Sequence, residues 1–267
     1  MTIQPPGRDQ PSPVAALVRR QDPDRFFTAL FAPPAHREAL LVLYAFNHEL
    51  ARAREVVREP MLALIRLHWW REVVEGARRR HEVAGPLGAL LDAGTLQAPD
   101  LLAMIAAREA EADPQIATRA GFLAYLDGTA GTLAVAAARL LGAGEVPDRI
   151  RALGAAYGLA GQLRNVGALA RQGRCLLPVD VLSAHGLTAD MVMAGTATNQ
   201  LQAVLNDLAG DGLRLLGRPG RLPRDIVAAG LPAVFARRDL RRPGMAGPRG
   251  LADRMAVTLA ALTRRVG

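Results

Sequence analysis

Apolar residues in this chain recur at three- and four-residue steps, and prolines cut that pattern into segments. Each such segment has one apolar stripe to bury, which it does by packing helix against helix. Asp22-Pro23 starts a short helix, with proline at the first helical position. Pro33-Pro34 ends it and opens a long helix over about Ala35 to Arg58, with Leu40, Leu43, Tyr44, Phe46 and Leu50 on its apolar face. Pro60 starts the next, which carries Met61, Leu64, Ile65, Trp69 and Val73 toward Arg80. Gly85-Pro86 and Gln97 to Asp100 bound shorter helices. A helical region from Gln115 to Leu141 contains Gly121, Gly128 and Gly131, where helices can pack closely or kink. Another runs from Pro147 to Arg171, Pro178 and Gly186 frame a short one, and three more fit 198–217, 223–239 and 248–264. No convincing strand interrupts them, so the expected fold class is all-α.

Residues 1–13 hold four prolines and are expected to form a disordered leader. The remainder, 14–267, has no repeat or long linker and is expected to be a single helical domain. Cys175 is the only cysteine, which excludes an intrachain disulfide and a thiolate metal cluster. The start Met-Thr-Ile-Gln-Pro-Pro-Gly lacks the basic-then-apolar pattern of a secretory signal. No stretch reaches the roughly 18 uninterrupted apolar residues of a membrane span. The most apolar windows, Leu133 to Leu141 and Leu153 to Ala170, contain Arg139 and Arg164. The expected location is cytoplasmic, peripheral on the inner membrane. The formal charge of +8, carried by arginine without lysine, favours diphosphates, acidic lipid surfaces or nucleic acid as partners. Nucleic acid is set aside, because the chain has no binding motif and only 4% aromatic residues for stacking.

Tyr44, His48, Ala51, Arg52 and Glu55 share one stripe of the long second helix. Gly158, Gln162, Asn165 and Leu169 form a second stripe, followed by Gly173-Arg174-Cys175-Leu176-Leu177-Pro178. Gln and Asn among alanines and leucines mean either a polar-lined cavity or a satisfied core contact.

These residues resemble the squalene/phytoene synthase family. Tyr44-Ala45-Phe46 is similar to the run that opens the family's first aspartate-rich segment. Gln162-Leu163-Arg164-Asn165 with Gly173-Arg174 and Leu176-Leu177-Pro178 is similar to the segment carrying the second. Tyr125 to Thr132, with Ala130-Gly131, resembles the family's central helix, and the likeness extends over about residues 22 to 240. It implies an isoprenoid-synthase-type helical bundle around a central cavity. In that family, facing aspartates hold magnesium, which needs hard oxygen ligands and neutralises the departing diphosphate.

Against that pattern, the first aspartate motif falls here on Ala51, Arg52 and Glu55. The first aspartate of the second motif falls on Leu169, and no acidic residue lies between Asp148 and Asp180. Asn47-His48-Glu49-Leu50-Ala51-Arg52 and Arg66-Leu67-His68-Trp69-Trp70-Arg71-Glu72 resemble a non-catalytic branch of the family. That branch includes the mitochondrial assembly factor for respiratory complex I. The resemblance implies an assembly or membrane-adaptor factor without a cofactor, its partner a respiratory-complex subunit or other protein, an anionic membrane surface, or an isoprenoid or lipid ligand. The alternative is a prenyl-diphosphate transferase with an atypical site, and only that reading requires magnesium.

The residues expected to line the cavity or bind an anion are Tyr44, His48, Arg52, Glu55, Gln162, Arg164, Asn165 and Arg174. Arg52 and Arg164 are expected to share one space, although Arg52, Arg164, Arg171 and Arg174 also suit a solvated surface or helix C-termini. Trp69 and Trp70 point about 100° apart, so one belongs in the core and the other at its boundary. Ser183 and His185 lack a triad context. Arg237 to Arg242 reads as a solvated face or as a contact with acidic lipid or a partner.

Overall fold

The computed structural model describes residues 11–55, 57, 59–113, 115–196, 198–245 and 247–267. Residues 1–10 of the expected leader, and Arg58 at the expected end of the long helix, lie outside them.

Ser12 caps the first helix, α1 (Pro13–Gln21), by accepting from the Ala15 amide at 3.0 Å. Asp22 caps α2 (Pro23–Ala29) the same way, accepting from the Arg25 amide at 3.1 Å. The long helix α3 spans Pro34–Glu55, and α4 spans Pro60–Val74. α4 stops short of Arg80, because Gly76 takes a φ of 113° just beyond it. Two shorter helices follow, α5 (Ala84–Asp92) and α6 (Ala98–Glu109).

The glycine-containing region is one helix interrupted by a wider turn: α7 (Arg119–Leu126), a π segment (Asp127–Gly131) and α8 (Thr132–Leu140). By length and composition 119–140 is apolar enough to cross a membrane, yet 67% of its most apolar window is buried inside the fold. It is a core helix.

The other long helix, α9 (Asp148–Arg171), packs against the π segment and α8. Beyond it come α10 (Val179–Ala184), α11 (Ala189–Ala194) and α12 (Thr198–Leu216). The expected helix over 223–239 is two, α13 (Val227–Gly230) and α14 (Pro232–Leu240), and the last is α15 (Leu251–Thr263). α12 and α14 pack on α9 as well. Among the described residues the only strands are β1 (Gly220–Arg221) and β2 (Arg265–Val266), a short antiparallel ribbon with Gly220 opposite Val266. The all-α expectation holds. Trp70 is buried edge-on to Phe46, with ring centroids 5.4 Å apart, while Trp69 is only partly covered.

α9 approaches the 119–140 helix too closely for side chains at the crossing. A Cβ on Gly154 would lie 2.5 Å from the Ala130 carbonyl oxygen and 2.6 Å from the Ala134 Cβ. A Cβ on Gly158 would lie 2.6 Å from the Ala130 Cβ. Gly161, one turn further along the same helix, has nothing within 4 Å of that position. Alanine favours a helix over glycine by about 1 kcal/mol, whereas overpacking costs about 1–3 kcal/mol. Chemical denaturation should therefore show opposite signs within one helix: Gly154→Ala destabilised, Gly161→Ala neutral or more stable.

Candidate functional site

α3 and α9 face each other across a cavity of about 650 Å³. His48, Ala51 and Glu55 line it from α3, and Gly158, Gln162, Asn165 and Leu169 from α9. Both sequence stripes thus turn toward one space, whose wall is completed by Tyr125 and the π segment at Thr129 and Ala130. Thr129 bends back to donate its hydroxyl to the Tyr125 carbonyl at 2.7 Å.

The cavity's charges are arranged as pairs. On one side Glu111 is buried, and both its carboxylate oxygens are engaged. Oε1 accepts from Arg108 at 2.6 Å and from the Tyr125 hydroxyl at 2.7 Å; Oε2 accepts from Arg174 at 2.8 Å. Burial alone would push the Glu111 pKa up, but Arg108, the Tyr125 hydroxyl and Arg174 together hold it below its ordinary value. Glu55 stands nearby, exposed at the rim. Its pKa is raised, first by partial desolvation and then by repulsion from Glu111, against the pull of Arg174, Arg108 and Arg52.

A second group closes the other side. Asp22 pairs with Arg25 at 2.8 Å. Arg249 forks between two aspartates, at 2.7 Å from Asp24 and 2.6 Å from Asp239, with its guanidinium 4.6 Å from the Phe235 ring centroid. Tyr157 donates its hydroxyl to Asp24 at 3.4 Å and lies under Arg25, 4.7 Å from ring to guanidinium. Asp22, Glu111 and Asp239, three of the four carboxylates lining the cavity, therefore already carry an arginine partner.

The individual expectations divide. His48 lines the cavity, and its pKa is lowered chiefly by burial, so the ring is neutral near pH 7. Its Nε2 and the Gln162 Oε1 are buried without a hydrogen-bond partner among the described residues. Asn165 is an exposed part of the wall. Arg174 faces the cavity, but its charge is taken by Glu111. Arg164 also lines it, and there it donates to the Gly247 carbonyl and lies 3.9 Å from Asp24 and 3.8 Å from Asp239.

Two expectations are corrected. Tyr44 is fully buried below the cavity, against a smaller recess it shares with Arg25 and Tyr157. Arg52 is not part of the wall: it lies one residue, about 100° of helix, past Ala51. It turns instead to Glu49, 3.5 Å away. Arg52 and Arg164 thus build no joint anion site. His185 sits 3.6 Å from Asp207, which is itself held by Arg119.

Sequence reasoning missed Arg25, Arg108, Glu111, Asp24, Asp239 and Arg249. The pairs Asp22–Arg25 and Arg108–Glu111 had a local signal, opposite charges three residues apart. Arg249 had none, since its partner Asp24 is 225 residues away.

Among the described residues, no three His, Cys, Asp or Glu side chains converge as a metal-binding group. Removing the buried Glu111 leaves the half-buried Arg108 and Arg174 without their counter-charge, a loss of about 3–5 kcal/mol. Urea unfolding of Glu111→Gln at pH 7 should show a loss of that order. Because the folded pKa of Glu111 is depressed, its contribution is present above the unfolded value and disappears as pH falls through the folded one. The gap between wild type and Glu111→Gln should therefore close in acid.

The profile of the squalene/phytoene synthase family matches residues 18–259. A complex I (NADH dehydrogenase, ubiquinone) assembly factor 6 from Mus musculus is 25% identical over 226 residues, which is 82% of this chain and 68% of the relative. Phytoene synthase from Thermus thermophilus is 36% identical over 107 residues, 40% of this chain and 37% of that enzyme. The crystal structure of a dehydrosqualene synthase in complex with ligand superposes with a TM-score of 0.71 at 16% identity, covering 94% of both chains. Matched along nearly its whole length and sharing that fold, the chain belongs to the squalene/phytoene synthase family.

Proposed function

We propose that this chain is a non-catalytic member of the family, an assembly or membrane-adaptor factor for the respiratory NADH:ubiquinone oxidoreductase. The observation that carries the reading is the internal pairing of the cavity's carboxylates. A magnesium–diphosphate complex needs open oxygen ligands on facing helices. Here Glu111 has its acceptor positions filled by Arg108, Tyr125 and Arg174. Asp22 and Asp239 are held by Arg25 and Arg249. α9 offers Gln162, Asn165 and Leu169 at the positions that face α3. Of the lining carboxylates only Glu55 makes no ion pair among the described residues, and one carboxylate does not hold a magnesium cluster. The donor set does not fit the metal.

The complex I assembly factor relatives support the assembly role, and a peripheral place on the inner membrane, facing the cytoplasm, is part of the same proposal. A transferase reading draws on the phytoene synthase identity and on Glu55 and Glu111 lining one cavity. It would require Arg108 and Arg174 to release Glu111 to a metal.

Purified protein incubated with magnesium and farnesyl or geranylgeranyl diphosphate should release no pyrophosphate above background. Each 1.36 kcal/mol of lost charge stabilisation is about tenfold in rate, and both ligand sets are affected. Steady, protein-dependent formation of a condensed hydrocarbon contradicts the reading. Deleting the gene in its source organism should lower NADH:ubiquinone oxidoreductase activity and leave subcomplexes on native gels. Unchanged oxidoreductase levels contradict the assembly role.

A further inference from the structure

The chain's positive charge is concentrated at one end. Residues 214–267 hold twelve arginines against three aspartates, a formal +9 that accounts for the chain's whole excess of +8 and leaves the rest close to neutral. The same segment carries the exposed apolar face of α15. Leu251, Met255, Leu259 and Leu262 are 62–76% exposed, and Met245, just before the helix, is 68% exposed. At 100° per residue the four helix positions fall within about 80° of arc. Val257 and Ala260, on the other side, are buried against the fold.

Basic side chains border this stripe. A depression of about 430 Å³ beside the N-terminus of α15 is lined by Arg238, Arg241, Arg242 and Met245, together with Asp239 and Asp253. Arg238 is held by Asp253 and Asp239 by Arg249. Arg241, Arg242 and Arg254 are exposed and make no ion pair among the described residues. Arg237, behind them, has its pKa lowered by burial and then by repulsion from Arg241 and Arg149, so the cluster is short of counter-charge.

A contiguous apolar stripe in water marks an interaction surface, and its arginine border selects among occupants. A second copy of the chain would bring like charge against like charge. A free phosphate would satisfy the arginines and leave the stripe wet. An anionic bilayer meets both demands: leucine and methionine reach the acyl boundary while guanidinium groups bond lipid phosphates. We propose that the α15 face docks this protein on an anionic phospholipid bilayer, with α15 lying in the interface and Arg241 and Arg242 holding headgroup phosphates. The α15 stripe lies outside the cavity, although the basic depression beside it shares Arg164, Asp239, Gly247 and Arg249 with the cavity wall. The proposal gives the membrane-adaptor reading a surface and does not depend on the pairing of the cavity's carboxylates.

Flotation of the full chain with vesicles tests it. Vesicles of phosphatidylcholine mixed with phosphatidylglycerol should carry the protein, and phosphatidylcholine alone should not. Arg241→Glu with Arg242→Glu should weaken binding by more than about tenfold. Met255→Asp with Leu259→Asp should weaken it comparably, and because all four positions are exposed, thermal melting should be unchanged. Absence of binding to the mixed vesicles overturns the proposal, as does binding that neither double variant alters. Self-association through this face, seen as a dimer that Met255→Asp with Leu259→Asp abolishes while vesicles stay bare, overturns it in favour of a second copy. Flotation reads neither pyrophosphate release nor complex assembly, so its failure and the failure of the cavity reading are distinguishable.

Discussion

α9 can lie against the 119–140 helix only because Gly154 and Gly158 present no side chain where the two backbones meet. That close crossing fixes one wall of the cavity. The π segment it packs against brings Thr129 and Ala130 into the lining, while Gln162 and Asn165 follow further along α9. α3 supplies the opposite wall, buried over most of its length from Leu40 to Leu50. The separation between α3 and α9 is what leaves a cavity in the middle of the bundle.

Once the walls stand, charge decides what the cavity can hold. Isolated buried carboxylates are costly, and a site built around divalent cations offsets that cost with the metal. Here arginines from the protein itself fill that role. Arg108 and Arg174 meet Glu111, Arg25 meets Asp22, and Arg249 bridges Asp24 and Asp239. These contacts also tie distant segments together. Arg249 joins the stretch before α15 to the start of α2, and Arg174 joins the turn after α9 to the end of α6. Three of the four carboxylates lining the cavity are thereby matched within the chain.

Local chemistry made much of this legible in the sequence. Prolines set the starts of α2, α3 and α4 because proline restricts the first turn wherever it falls. The stripes on α3 and α9 were readable because helical spacing alone places His48, Glu55, Gln162 and Asn165 on shared faces. Arg52 was misplaced by treating two adjacent residues as one face, although Glu49 three residues earlier offered it a partner. α11 went unread despite Thr188 at its N-terminus and left-handed Gly195 at its end, since only six residues lie between them. The ribbon of Gly220 with Val266 and the Arg249 fork are set by tertiary contacts, which no window of sequence contains.

The central claim is that matched charge leaves the cavity without an open magnesium–diphosphate site. Isothermal titration calorimetry of the purified chain with geranylgeranyl diphosphate, with and without magnesium, tests it most directly. The account predicts that magnesium does not strengthen diphosphate binding. Magnesium-dependent tightening of tenfold or more, about 1.4 kcal/mol, that is lost in Glu55→Gln would contradict it.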